Sequence, residues 1–397
     1  MASYPKNLMA IQKALDSFGI DGWLFYDVAN RDPIAYQILS LDPHRLTTRR
    51  WYYLIPRSGS PVKLVHKIER ERLAELTGST MVYASWFELQ NSIAEILRPC
   101  KKIAMQYSPS GHLFTISYVD AGTVELIRSF GVEVISSANL IQLFIATIGE
   151  QGIALHKEAG IKVQNIKDEV FNVILEAVKS GRHITEYDAQ QFILERFAKE
   201  NLTCEGLNPI VALNSHAADP HFEPTQQNSS KVQWNDRILI DLWAKVDAPA
   251  GVYYDITWCA YLGANPPQEY VEMFDTVVHA RNLAKSFISE KLKKGEKVFG
   301  WQVDDICRSY ISSKGYGDYF THRTGHSIDT RIHGSGVDLD NFESRDEREI
   351  IPGVCFSIEP GIYKRDVGVR SEISVLIDNS KNLIVVGKEQ EGLVLLH

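Results

Sequence analysis

The chain has 397 residues, 44% of them hydrophobic, with 42 Lys+Arg against 50 Asp+Glu and a net charge of −8. An ordinary apolar share excludes global disorder, and an acidic balance without a basic face argues against a phosphate-backbone binder. Five well-separated cysteines (Cys100, Cys204, Cys259, Cys307, Cys355) with no CxxC pair argue against a disulfide framework or structural zinc knuckle and suit a reducing compartment.

In chain order, residues 1–23 lack the basic-then-apolar layout of a leader, and no apolar run approaches the ~20 residues that span a bilayer. The expectation is a soluble cytoplasmic protein with no membrane partner. Leu8, Ile11 and Leu15 sit at helical spacing within residues 7–17. Gly22–Tyr26, Trp51–Ile55, Val62–Val65, Lys102–Met105 and Val132–Ile135 read as strands with helical patterns between them, predicting a small α/β domain. The boundary falls near residues 146–156, giving domains 1–150 and 151–397.

After residue 150 a long amphipathic helix runs from Gly152 to Ser180 and stops at Gly181. Thr185 caps a second helix, with Asp188 as its capping-box partner, to Lys199. Strands follow at Pro209–Leu213, Arg237–Ala244 and Val252–Leu262. The scheme then recurs: helices Gln268–Lys294 and Gly300–Ser313, then strands Val354–Tyr363, Val369–Ile377 and Leu383–Val386. Two copies of helix–helix–strands imply a pseudo-twofold sheet with helices on one side and the chemistry where the halves meet.

Those strands hold acids in apolar runs: Asp241 in ILIDLW, Asp255 in VYYDIT, Glu359 in FSIEP and Glu372 in RSEISVLI. Any one could turn to solvent or pair with an arginine. Four of them, two from each half, would repel on converging unless a cation neutralised them. The segment 321–336 adds His322, His326 and His333, and 214–224 adds His216 and His221. Arg323 stands where HExxH requires glutamate, so this is no helical zinc-protease motif. Carboxylates with one imidazole make a hard site for divalent metal and suit metal-assisted hydrolysis; manganese, cobalt, zinc and iron all fit that donor set. No GxSxG elbow or P-loop occurs, and HKIERER at 66–72 reads as a solvated helix face.

The order Asp, Asp, His, Glu, Glu, carried by IDLW, DIT, HRTGH with IH, SIEPGIY and GVRSE, resembles the pita-bread metallopeptidases: methionine aminopeptidase, aminopeptidase P, prolidase and the metal-free relative creatinase. The likeness covers about residues 150–385. The first 150 residues look like the extra domain of prolidase, aminopeptidase P and creatinase, which tilts the reading to Xaa-Pro peptidases. The resemblance implies two divalent metals, manganese foremost. Asp241 would chelate one, Asp255 and Glu372 would bridge, and His326 and Glu359 would complete the second. Glu359 would double as general base, taking a proton from the bridging water to give the attacking hydroxide, with His221 and His333 acting on the substrate carbonyl. Thr257 would bond a bridging carboxylate, and Arg370 would orient Glu372 or meet a substrate carboxylate; His322 joins them at the edge of the site. A short peptide substrate and a homodimer are implied likewise.

Departures from the pattern stand beside the ligands. The two aspartates are 14 residues apart, a few more than usual, Trp243 and Trp258 replace the usual small residue and arginine, and GHSID replaces GHGIG. They motivate a second reading, a metal-dependent hydrolase or lyase of a small non-peptide molecule. A third is a non-catalytic peptide-binding homologue.

Overall fold

The structure, a computed structural model, describes residues 7–397; residues 1–6 of the segment read for a leader lie outside it. The chain divides into two compact units between Ile145 and Ala146. Among the described residues, no helix is long and apolar enough to cross a membrane.

The first unit carries helices α1 (Leu8–Ser17), α2 (Pro33–Leu39), α3 (Trp86–Leu97), α4 (Ala121–Ser129) and α5 (Ala138–Ile141). Its strands β1 (Gly22–Asp27), β2 (Trp51–Pro56), β3 (Val62–His66), β4 (Ser79–Tyr83), β5 (Lys102–Met105) and β6 (Glu133–Ser136) form one sheet in the order β4-β3-β2-β1-β5-β6. Strand alternation sends Trp23 and Phe25 of β1 into one apolar cluster and Leu24 and Tyr26 into another, so both faces of β1 are buried. The sequence reading missed β4, whose outer face is too exposed to leave an apolar run.

The second unit holds the recurring scheme. Helices α6 (Glu150–Lys179) and α7 (Glu186–Lys199) precede β7 (Leu202–Thr203), β8 (Ile210–Leu213), β9 (Arg237–Val246) and β10 (Tyr254–Leu262). Thr185 and Asp188 form the capping box that starts α7. Helices α8 (Gln268–Lys293) and α9 (Gly300–Ser313) precede β11 (Ser327–Ile328), β12 (Cys355–Ile358), β13 (Gly361–Lys364), β14 (Val367–Arg370), β15 (Ile373–Ile377), β16 (Leu383–Val386) and β17 (Val394–Leu396). Mixed α/β architecture with this repeat is the pita-bread fold.

Two features differ from the expectation. The single sheet is two, β17-β10-β9-β7 with β8 on β9, and β11-β12-β15-β16, plus the hairpin β13-β14. The long strands expected at 354–363 and 369–377 are each interrupted. Ile358 pairs with Ile373 and Gly361 with Arg370, so the register is kept on both sides of a gap holding Glu359 and Pro360 opposite Ser371 and Glu372. Pro360 has no N–H to donate, and the backbone of both glutamates turns to other segments: Glu359 N donates to Thr324 O and Glu372 N to Thr257 O. Glu359 and Glu372 therefore lie in the opening of a ladder, not inside strands.

Candidate metal centre

The four acids and His326 meet in one place. Asp241 and Trp243 share a face of β9, and the register sets Thr257 opposite Asp241 and Asp255 opposite Trp243, so these four side chains leave the sheet together. From the opened ladder come Glu359 and Glu372, and from the turn before β11 comes His326. Asp255, His326 and Glu372, all buried, offer ligand atoms within 4.8 Å of one another. His326 Nε2 lies 3.5 Å from Asp255 Oδ2 and 3.3 Å from Glu359 Oε1. Asp241, Asp255, His326 and Glu359 line a cavity of about 460 Å³, together with His221, His322, His333 and Arg370.

Hydroxyls brace this set. Ser357 Oγ donates to Glu359 Oε1 (3.0 Å) and accepts from His326 N (2.9 Å). Thr257 Oγ1 donates to Glu372 Oε2 (2.8 Å). Ser374, paired with Ser357 across β12 and β15, bonds both N and O of Asp255 at 3.0 Å. Arg370 is committed: its Nη2 donates to Asp241 Oδ2 (2.5 Å), its Nη1 to Tyr363 Oη and its Nε to Thr257 Oγ1. It reaches Glu372 through Thr257, which accepts from Arg370 and donates to that glutamate. Its bonds use three of the five N–H donors of the guanidinium, and Arg370 also lines the cavity. His322 is pinned between Arg323 O and Tyr363 Oη.

The charges do not balance without a cation. Burial pushes the carboxyl of Asp255 up to about 7, and burial likewise raises Asp241. Glu372 rises well above the usual carboxylate range through burial and the charges of Asp255, Glu359 and Asp241. Glu359 goes the other way: burial raises it, but His326, His322, Arg370 and Arg323 together hold it below its ordinary value. Asp241 Oδ1, Asp255 Oδ1 and Glu372 Oε1 are buried without a hydrogen-bond partner among the described residues. Leaving three carboxylate oxygens buried and unpaired is costly, and divalent cations supply what these oxygens lack. The donor set fits such a group.

The two outer histidines differ. His333 stands 4.5 Å, centroid to centroid, from His326; repulsion from that imidazole in its protonated form, with burial, pushes His333 down to about 3. His221 is exposed at the cavity edge, on a loop built from behind. Glu186 of α7, fully buried, accepts from Leu213 N (2.6 Å), Ser230 N (2.7 Å) and His216 Nδ1 (2.9 Å). His216 in turn stacks on Phe222 at 4.3 Å, next to His221. Sequence reading missed Glu186, which looks like an acid in a first helical turn; only its zero exposure marks it. Gly368 of β14 closes the loop from the front, because a Cβ there would meet Ala217 O at 1.6 Å. Cys259 and Cys355 are buried core residues.

A two-layered unit with carboxylates and an imidazole converging on a cavity defines a metallohydrolase architecture, and sequence comparison gives the class. The chain belongs to metallopeptidase family M24, whose profile matches residues 158–379. An uncharacterized peptidase of Staphylococcus aureus (strain MW2) is 26% identical over 347 residues, 85% of this chain and 87% of that protein. Among solved structures, dipeptidase PepE from Mycobacterium ulcerans superposes with a TM-score of 0.68 at 21% identity, over 98% of this chain and 97% of the other. An X-prolyl aminopeptidase from Caenorhabditis elegans, described as a cytosolic enzyme with a di-nuclear active site, gives 0.63 at 17% identity over 96% of this chain and 61% of the other. At these identities the structural likeness speaks for the fold.

Proposed function

We propose that the protein is a dinuclear metal-dependent exopeptidase that hydrolyses Xaa-Pro bonds of short peptides, as a dipeptidase or aminopeptidase. The observation that carries this reading is the convergence of Asp255, His326 and Glu372 within 4.8 Å, with unpartnered carboxylate oxygens beside them, in an M24 chain. Asp241 would hold one cation, Asp255 and Glu372 both, and His326 with Glu359 the second; manganese is the first candidate, then cobalt, zinc or iron. Bound divalent cations supply Lewis acidity and lower the pKa of water.

The protein's own groups do the rest. Glu359, held ionised by its cationic neighbours and steadied by Ser357, accepts the proton of the attacking water. The cavity-lining His333 and the loop-borne His221 donate to the substrate carbonyl as it gains negative charge. Thr257 and Arg370 keep Glu372 and Asp241 in place, and His322 fixes Tyr363 behind them. The two solved relatives, described as a dipeptidase and as a cytosolic X-prolyl aminopeptidase with a di-nuclear active site, support both modes and a cytosolic setting. The reading includes a prolidase-like N-terminal domain for the first unit and a homodimer in the cytoplasm.

Metal analysis with a comparison of Xaa-Pro dipeptides and longer Xaa-Pro peptides tests it. Two divalent ions per chain and cleavage of at least one series are expected. Absence of bound metal, and no cleavage by manganese- or cobalt-loaded protein, would sink it. Turnover in a metabolite panel with none of the peptides cleaved would transfer the site to a small non-peptide substrate.

A further inference from the structure

The cavity lining is mixed: polar His322, Arg323, His333 and Glu343 are joined by apolar Leu207, Ile210, Trp243 and Ile332. Trp243 is the apolar lining residue that neighbours the ligands in the β9–β10 ladder. It shares the face of β9 with Asp241 and stands directly across from Asp255, so its ring borders both aspartates. Between Ile238 and Val246 every other residue of β9 is buried, and Trp243 alone is only partly so; it is also a cavity-lining side chain.

What the indole contributes there is bulk. Its N–H is buried and makes no hydrogen bond within the described structure, so it holds nothing in place as a donor. Its flanks pack on the apolar clusters of both halves of the unit and on the small one around Val252, Tyr253 and Ile332. A side chain rooted in a paired strand and packed on several sides has little room to swing aside. A cavity of about 460 Å³ lies in the lower half of the ~300–1,000 Å³ range of small-molecule sites, where one ring matters to what fits.

We propose that Trp243 is the specificity-determining residue of this cavity. Its indole limits the size of the peptide side chain lodged against β9, beside the scissile bond, admitting a glycine-, alanine- or proline-sized residue and rejecting branched or aromatic ones. This rests on the peptidase reading above and adds the class of peptide: short, with a compact residue on the β9 side.

The test uses the full-length, metal-loaded protein and two peptide series. One is Xaa-Pro with Xaa as Gly, Ala, Leu or Phe; the other is Ala-Yaa with Yaa as Pro, Ala, Leu or Phe. kcat/KM is compared for wild type, Trp243→Phe, Trp243→Leu and Trp243→Ala, with metal content measured in each. In one series, wild type prefers the compact residue, and the Phe-to-Ala ratio of kcat/KM rises about tenfold in Trp243→Ala, a shift on the scale of pocket-size discrimination. Trp243→Leu shifts the ratio partway and Trp243→Phe least. If the alanine variant does not fold, the leucine variant carries the same expectation. An unchanged rank order in both series, at unchanged metal content, overturns the role of Trp243 and leaves the peptidase reading standing. No cleavage by metal-loaded wild type defeats that reading itself, and the inference with it.

Discussion

The two halves of the second unit deliver the same chemical group in different ways. In β9 and β10 the ladder runs unbroken from Arg237 opposite Tyr261 to Ala244 opposite Tyr254, and Asp241 and Asp255 are ordinary strand residues on one face. In the other half the ladder opens where Glu359 and Glu372 would have faced each other, then resumes in register at Gly361 and Arg370. Aspartates in a closed ladder are placed by backbone hydrogen bonds. Glutamates in an opened one have longer side chains and fewer ladder bonds, so they lean on hydroxyls: Ser357 for Glu359 and Thr257 for Glu372. The difference teaches that one half adds an unbroken ladder to its side-chain braces, Arg370 on Asp241 and Ser374 on Asp255, whereas the other lacks the ladder at its two ligands.

Six substitutions test the site and the unit around it, four of them at residues of that contrast. The largest effect belongs to Glu359→Gln, which removes a ligand and the proposed base together; turnover should fall by at least about 10³-fold with weakened metal binding. Asp241→Asn, in the closed ladder, should lose metal and weaken the pair with Arg370 while leaving His326 ordered, and equal damage to His326 ordering by NMR in both variants would erase the contrast. Next, His333→Ala should lower kcat by about 10²-fold or more at near-normal metal content, since it is proposed as a donor to the substrate and not as a ligand. Loss of metal instead would place His333 among the ligands.

Ser357→Ala should weaken metal affinity by about tenfold or more, as removal of a partner that orients a ligand does. Ser374→Ala should cost less, because Asp255 is still held by β9. Metal titration against a chelator reads both, and a reversed order would break the comparison. The smallest effect is on stability, at a residue away from the ligands. His156 is fully buried, donates to or accepts from no water-exposed group, and burial pushes it down to about 4. The folded state thus binds fewer protons than the unfolded one between about pH 4 and 6.5, so stability rises with pH there. The contribution is fully present above pH 6.5 and is lost as pH falls towards 4, at most about 3 kcal/mol over that window. His156→Gln should flatten this slope in thermal unfolding measured from pH 7 to 4.

Much of this was legible from local pattern. The helix stops at Gly181 and Gly295 and the Thr185 capping box bound the long helices because caps are local chemistry. The four acids stood out because β-prone apolar runs seldom contain carboxylates. The gap at Glu359 and Pro360 was written in the proline, yet an apolar run on both sides concealed it. Strand β17, which pairs in parallel with β10, was too short to announce itself. Arg370 was seen, but its partner was not: Asp241 lies 129 residues away, and no spacing rule joins them.

The sequence by itself determined which residue types are available, where helices begin and end, and that acids in order with a histidine call for a cation. Those follow from short-range propensity and from the cost of burying charge. Only the tertiary structure decided that Glu359 and Glu372 sit in an opened ladder, that Arg370 pairs with Asp241, that Glu186 anchors the His221 loop, and that Trp243 borders the ligands. Each of these depends on which distant strands and helices come to lie side by side, and pairing across long loops is set by the packing of the whole unit, not by any segment of it.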